Sequence, residues 1–533
     1  MQSFIDATAN AGLDKLILAM NAGNRRNLVI GKGFTQALQA AVQKSLSTEQ
    51  VLTTGSNIAE INLDPAFKHL YPIQTPFLNA GMVGEVGGQV GRFRTYRAFV
   101  EMNPQDDDGN AGEAASDPTG ATGRGRIVSQ TSLDRQKFFA KIMPEAAVTR
   151  EEADLSGVLD GFLQKQIISM AIAKQLEEEN LLFSTTGLLG SVSGLAATAF
   201  ATGGVLVTGT YAVKVTALTY WGNKNWQRNA AAGTFVPLGS PLAATNARNG
   251  ETDRSQVTGI AVTGPTARID ATWTTKKGAW AYAVYLSNGT DEWLVGITGA
   301  PAFSITTTEF SAGVAITSPV ATANLIPTVD ASNKGVRGST IGYEGLYQQI
   351  VLDSDTFVRG PYLNMNASTF TAQAGGTGIR EWDFILGQLF RAPIGVSPNA
   401  IMVSAADWSG LSAMLLSNSA QNYRLMVETE DGTRVSAGTI VETVKNNFSR
   451  STIDVIVHPL MPSGKVIFYT RDLPYEANNT GVNLSHFFNH RYRQVFFPNN
   501  SDYAPPGPWG ISSLGQPILT WPKACAVIEG FRV

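Results

Sequence analysis

The side chains able to bind a metal or move a proton are few and scattered. The four histidines are His69, His458, His486 and His490. His486 and His490 stand four apart and would share a helical face, but Phe487 and Phe488 lie between them and no glutamate follows the first histidine, as a helical zinc-protease motif requires. His458 precedes Pro459 at the end of an apolar run, a place for a structural histidine. Asp106, Asp108 and Asn110 imitate the opening of a calcium loop, but the sixth position, where glycine makes the sharp turn, is Ala111 and the twelfth is Asp117. A solvated acidic tip is the better account of them.

Phosphate and acyl chemistry fare no better. Gly31-Lys32-Gly33 lacks the spacing and the following hydroxyl of a phosphate loop, and the glycines of Gly120–Gly125 neither follow a clear strand nor open a helix. In Gly190-Ser191-Val192-Ser193-Gly194 the nucleophile's place is held by Val192. Cys525 is the only cysteine, so no internal disulfide forms, and its apolar neighbours predict a buried, inert thiol in a strand. The 43 carboxylates nominate no acid–base pair by spacing. No catalytic, cofactor-binding or metal-binding residue is nominated, and the chain is expected not to be an enzyme.

The elements that would hold such residues are more informative. A chain of 533 residues buries at least one large core and divides into two to four domains. Charged residues make up 16% against roughly 25% in ordinary globular proteins, and glycine is plentiful at 53, which suits a surface that meets other proteins over much of its area. With a net charge of −3 and no basic block, specific nucleic-acid binding is not expected, although a shell enclosing nucleic acid would need no such block. Met1–Asn10 has no basic start leading into an apolar core, and no apolar run reaches 18 residues, so neither secretion by signal peptide nor a membrane span is expected.

Residues 1–50 carry two short helical patterns, Phe4–Met20 and Thr35–Leu46, that bury little alone and predict an arm ordered by packing on another surface. Asp64–Phe77, with Pro65, Pro72 and Pro76, predicts an extended anchor. Gln89–Val100 and Arg126–Met143 are strand-like limbs on either side of the polar stretch Glu101–Gly125, together a long hairpin. Thr149 to Phe183 then reads as one long helix of roughly 50 Å, turning sharply polar at Gln175–Asn180. A long core helix in a large enzyme is the alternative account of this run.

Residues 187–203 resemble a linker. Leu206–Tyr220, Gln256–Val262, Ala267–Trp273, Trp280–Ser287, Glu292–Gly296 and Phe303–Thr307 are strand candidates with little helix among them, which predicts a β-sandwich of immunoglobulin or fibronectin type ending near Thr328. Mixed α/β character follows: helices at Tyr343–Asp353, Glu381–Gln388 and Ala405–Ser417, strands at Thr452–His458 and Lys465–Thr470, and a final strand pair from Ile518–Thr520 and Ala524–Ile528.

This order of elements, with the segment Asn62–Phe77 and the closing Lys523–Phe531, resembles the major capsid proteins of tailed bacteriophages, whose shell fold is named after phage HK97. The resemblance implies an α+β fold divided into an N-terminal arm and entry to the shell domain (1–83), an extended loop (84–148), a spine helix with linker (149–199), an inserted immunoglobulin-like β-sandwich (200–328), and peripheral and axial domains (329–533). It implies self-assembly into hexamers and pentamers of an icosahedral virion shell that encloses double-stranded DNA. Scaffold, portal and decoration proteins would be partners, and assembly would take place in the host bacterial cytoplasm without cofactor or membrane. Some relatives join subunits by a Lys–Asn isopeptide bond; here no lysine occurs between Lys68 and Lys137, so contacts of Arg92, Arg94 and Arg97 with neighbouring subunits are the expected substitute. Two other readings stand: a tail or decoration component, and a carbohydrate-binding adhesin using Trp221, Trp226, Trp273, Trp280 and Trp293 as a sugar platform.

Overall fold

A computed structural model describes residues 75–103, 129–146, 160–231, 247–289, 291–307, 320–321, 326–335, 338–353, 358–371, 378–391, 394–417, 442–473, 482–496 and 509–532. The expected arm, the anchor before Thr75 and the hairpin tip at 104–128 lie outside these residues. The chain forms two compact units: Met1–Pro72, Glu145–Ser169 and Phe496–Trp509 make the first, and Ile73–Pro144, Met170–Val495 and Gly510–Val533 the second.

In chain order the elements begin with the one-turn helix α1 (Pro76–Asn79), β1 (Gly84–Val86), the long strands β2 (Phe93–Asn103) and β3 (Ser129–Phe138), β4 (Ala140–Ile142) and β5 (Glu145–Ala146). The first unit contributes β5 and the start of helix α2 (Asp160–Phe183). At 24 residues α2 is roughly 36 Å long, and the part of the predicted helix before Asp160 lies outside the described residues. β6 (Ala196–Phe200) and β7 (Gly209–Leu218) follow, then helix α3 (Tyr220–Ala231), β8 (Ser255–Val262), β9 (Arg268–Thr272), β10 (Ala281–Ser287), β11 (Asp291–Thr298), β12 (Ala302–Ile305) and β13 (Val320–Ala321). The rest comprises α4 (Leu346–Val351), β14 (Tyr362–Asn364), α5 (Arg380–Phe390), β15 (Ala400–Val403), α6 (Ala405–Ser417), β16 (Thr443–Lys445), β17 (Thr452–Val457), β18 (Lys465–Tyr469), β19 (Leu484–Phe496), β20 (Trp509–Leu519) and β21 (Ala526–Glu529).

The centre of the second unit is a six-stranded mixed sheet in the order β14-β21-β18-β15-β17-β16. Its middle strands are mostly apolar, and the two-residue period of a strand sends alternate side chains into two different cores. Val466 and Phe468 join Ile401, Val403 and Ile528 in one core with Trp382 of α5 and Trp408 of α6. Ile467 and Tyr469 join Ala400, Met402 and Val527 in the other, against Leu181–Phe183 at the end of α2 and Tyr347 of α4. Cys525 is buried in this second core, where Asn483 Nδ2 approaches Sγ at 3.5 Å and burial pushes the thiol up to about 12.

A second mixed sheet runs β1-β19-β20-β4. The expected pairing of the last two strand segments does not occur: β20 pairs with β4 and β19, whereas β21 lies between β14 and β18 in the other sheet. The 3-10 turn Pro522–Ala524 separates them and redirects the chain.

Residues 196–321 form two antiparallel sheets, β13-β11-β10-β7-β8 and β12-β9-β6, around one core that includes Val213, Val215, Tyr282, Val284, Leu286, Ile269 and Ile305. Two sequence expectations change here, and the polar positions of β7 find buried partners. The supposed linker contains β6, which pairs with β9 from Ala196↔Thr272 to Phe200↔Arg268. The module holds a 12-residue helix, α3. The polar positions of β7 do not face water: Thr216 donates to Glu251 at 2.6 Å, Tyr285 donates to the same carboxylate at 2.6 Å, and Lys214 pairs with Glu292, all buried.

The module also shares the body's core. Tyr220, Trp221 and Trp280 pack with Phe183 and Tyr347, the ring centroids of Phe183 and Trp280 lying 4.9 Å apart. Replacing Trp280 by alanine should therefore cost about 3–5 kcal/mol and lower module and body together in one calorimetric transition. Two resolved transitions, with only one displaced, would show that the two fold independently.

Candidate functional site: the hairpin root and the carboxylates beneath it

β2 and β3 pair antiparallel from Phe93↔Phe138 to Asn103↔Ser129, with an irregularity between Phe99 and Glu101. They form a two-stranded sheet, and no third strand joins it among the described residues. Glycines at Gly88 (φ 73°) and Gly91 (φ 99°) adopt the left-handed region in the link from β1, and a Cβ at either would meet nothing, so backbone conformation rather than packing requires them. At the root, Val90 is 91% exposed, Phe93 49% and Phe138 62%, the two rings 6.0 Å apart.

The root is fastened to β19. Gln89 N–H donates to the Phe488 carbonyl at 3.2 Å, and Asn489 Nδ2 donates to the Gln89 carbonyl at 2.6 Å. Arg94 stacks 3.8 Å over the Phe487 ring and donates to Gln89 Oε1 at 2.8 Å. Arg94 is thus engaged within its own chain. Arg92 is exposed, and the side chain of Arg97 lies outside the description. Lys137, the first lysine after Lys68, pairs with Glu344 at the root.

Beneath the root lie three consecutive glutamates of α2, within the stretch where the sequence turns sharply polar. Glu177, Glu178 and Glu179 are nonetheless buried. Glu178 accepts from the Phe77 and Leu78 backbone N–H groups at 3.2 and 3.1 Å, capping α1, whose Thr75 side chain makes no cap. It also lies 2.8 Å from His458 Nε2. Because His458 Nδ1 accepts from Leu460 N–H at 3.2 Å, the ring is assigned as the Nε2–H tautomer, a neutral donor to Glu178. Glu179 pairs with Lys224 of α3 at 2.5 Å and accepts from Gln175 at 3.0 Å.

Glu177 Oε1 lies 3.0 Å from Arg491 Nε and 2.8 Å from His486 Nδ1, the latter off the line of a good hydrogen bond. Burial raises the Glu177 pKa, but His486 and Arg491 outweigh it and hold the carboxyl below its ordinary value. Burial likewise opposes the Arg491 charge, yet Glu177 and Glu85 raise its pKa, and Arg491 also pairs with Glu85 of β1. One guanidinium therefore joins α2 and β19 to the strand that leads into the hairpin.

His486 and His490 are on strand β19, not on a helix, and they part company: His486 is buried against Tyr343 at 2.7 Å, while His490 meets Ser512 at 3.0 Å. Among the described residues no group of three or more His, Cys, Asp or Glu side chains is arranged to hold a metal. His69 and Asp106–Asp117 lie outside them. The described tryptophans do not make a sugar platform: Trp221, Trp273 and Trp280 are buried and Trp293 packs against the module core, while the side chain of Trp226 is outside the description. No described helix is long and apolar enough to cross a membrane.

The carboxylates were missed because a Glu-Glu-Glu run in a helix ordinarily marks a solvated face. The available signal was its flanks, with Leu176 before it and Leu181–Phe183 just after.

Because Glu177 has a lowered folded pKa, its stabilisation is complete above the unfolded value of about 4.3 and is lost as pH falls through the lower folded value. Glu177→Gln should cost about 3 kcal/mol at neutral pH, since it removes the buried carboxylate facing Arg491 and His486. The gap to the parent should narrow in urea titrations repeated on the acid side of that value. A gap independent of pH would remove the carboxylate's charge from the account.

No protein-family model matches the sequence, and no curated protein does. Among solved structures the chain is similar to the capsid of an empty GTA particle at 7% identity and a TM-score of 0.35, covering 88% of this chain and 96% of that one. It is similar to a structure of Mycobacterium phage Adephagia at 9% and 0.34, covering 90% and 97%. The capsid asymmetric unit of cyanophage A-1(L) is similar at 11% and 0.36, covering 89% and 98%.

Proposed function

We propose that this chain is a major capsid protein with a structural, non-catalytic role, building a virion shell from many copies of itself. The carrying observation is the β2–β3 ribbon. A lone two-stranded hairpin is marginal in water, and among the described residues no strand pairs with either of its outer edges. Its root nevertheless shows Val90, Phe93 and Phe138 to solvent while being fastened to β19 through backbone and arginine contacts. A root held in place beneath an unsupported ribbon suits an element that gains its cover from a second copy. The solved structures named above include capsids, in agreement with this.

Within this proposal the ribbon with its tip is the extended loop (84–148), α2 the spine helix of 149–199, the two-sheet module the immunoglobulin-like insertion (200–328), and the mixed sheets the peripheral and axial domains (329–533). Copies would meet as hexamers and pentamers around double-stranded DNA, with scaffold and portal proteins as partners and assembly in the host cytoplasm.

Negative-stain microscopy of the purified full-length chain tests it. Closed particles, tubes or isolated capsomers are the expected outcome. The pair Phe93→Asp and Phe138→Asp, both at exposed positions, should abolish them while moving the melting temperature by less than a few degrees. A strictly monodisperse monomer across salt conditions, even with a scaffold supplied, would overturn the assignment.

A further inference from the structure

Where the two-sheet module meets the six-stranded sheet, a polar chain runs through a contact built largely on aromatic rings. Lys465 of β18 and Glu529 of β21 are register partners, both buried, with Nζ 2.5 Å from Oε2. Glu529 also accepts from Tyr347 of α4 at 2.5 Å and from Tyr362 of β14. The module enters the chain at two points. Gly278 N–H donates to Tyr347 Oη at 3.2 Å, and the Trp280 ring centroid lies 5.2 Å from Lys465 Nζ.

Stability alone does not account for this arrangement. A buried ion pair is commonly replaced by well-packed apolar residues at no loss, because desolvation consumes the Coulombic gain. Adhesion is already supplied by Trp280, which packs on Phe183 and, at 5.0 Å between centroids, on Tyr347. Apolar burial is non-directional, however, and tolerates rotation of one surface on the other. A chain of buried hydrogen bonds does not, since any other angle leaves a polar group without a partner.

We propose that Gly278, Tyr347, Glu529 and Lys465 form an orientation lock, which sets the angle at which the module stands on the body rather than merely attaching it. Two neighbouring contacts also require a fixed placement. A Cβ on Gly299 of the module would lie 2.0 Å from the Ser463 carbonyl oxygen of the body. Thr275 of the module donates to Asn364 Oδ1 at 2.8 Å, alongside the lock. The inference concerns the single chain and does not depend on whether it assembles.

Pulsed electron-spin distance measurement on the unassembled full-length chain tests it, with labels on Val207→Cys in the module and Asp472→Cys in the body, both exposed, while Cys525 is buried and unreactive. The labelled parent should give a narrow distance distribution. Lys465→Met with Glu529→Leu should keep or raise the melting temperature and broaden the distribution about twofold. Tyr347→Phe, which keeps the ring but removes the hydroxyl that links Gly278 to Glu529, should broaden it less, and it decides the matter if the double variant does not fold. An unchanged width in the folded variants overturns the lock, whether or not the melting temperature falls.

Discussion

Three adjacent carboxylates that must leave water together are the constraint around which this chain is organised. Successive helical residues point about 100° apart, so Glu177, Glu178 and Glu179 face three directions and no single cation can serve them. Each would carry a desolvation cost of several kcal/mol if left unpaired. Each is met by a different, distant part of the chain: β19 through Arg491 and His486, the α1 backbone with His458, and α3 through Lys224. The end of α2 is therefore complete only when the hairpin root, the six-stranded sheet and the two-sheet module have all arrived. Contacts spanning 101, 280 and 314 residues make it a mutually dependent meeting point of distant segments.

The same logic recurs at the module boundary. There the charges of Lys465 and Glu529 lie across two strands, and aromatic rings from both sides close over them. In both places hydrophobic burial brings elements together, while a few hydrogen-bonded charges settle which arrangement is kept. The module consequently behaves as part of the body's core and not as a tethered ornament, since Tyr220, Trp221 and Trp280 belong to the cluster that contains Phe183 and Ile467.

Much of this was legible in the sequence wherever periodicity is decided locally. Ala405–Ser417 is helical as expected, and the strands at Lys465–Tyr469, Thr452–Val457 and Ala281–Ser287 fall within a residue or so of their expected places, because alternating or continuous aliphatic residues leave few options. β6 was hidden because Ala196–Phe200 is built from small residues that read as a linker until β9 supplies its ladder. The misplaced final strand pair has a similar cause: Ile518 and Ala526 are near in sequence, but a turn at Pro522 divides them between two sheets. The glutamate triplet and the Lys465–Glu529 pair were opaque for a deeper reason. Their burial depends on partners far along the chain, and charge in a one-dimensional string reads as surface.

Cys525 carries one more consequence. In any assembly of many copies, a reactive thiol would be repeated at every subunit, and each copy would offer a site for oxidative cross-linking. Here the one thiol is enclosed in the core, beside Asn483, with its proton held far into the alkaline range. Particles made from this chain would thus pass from a reducing compartment to an oxidising one without forming or breaking a disulfide.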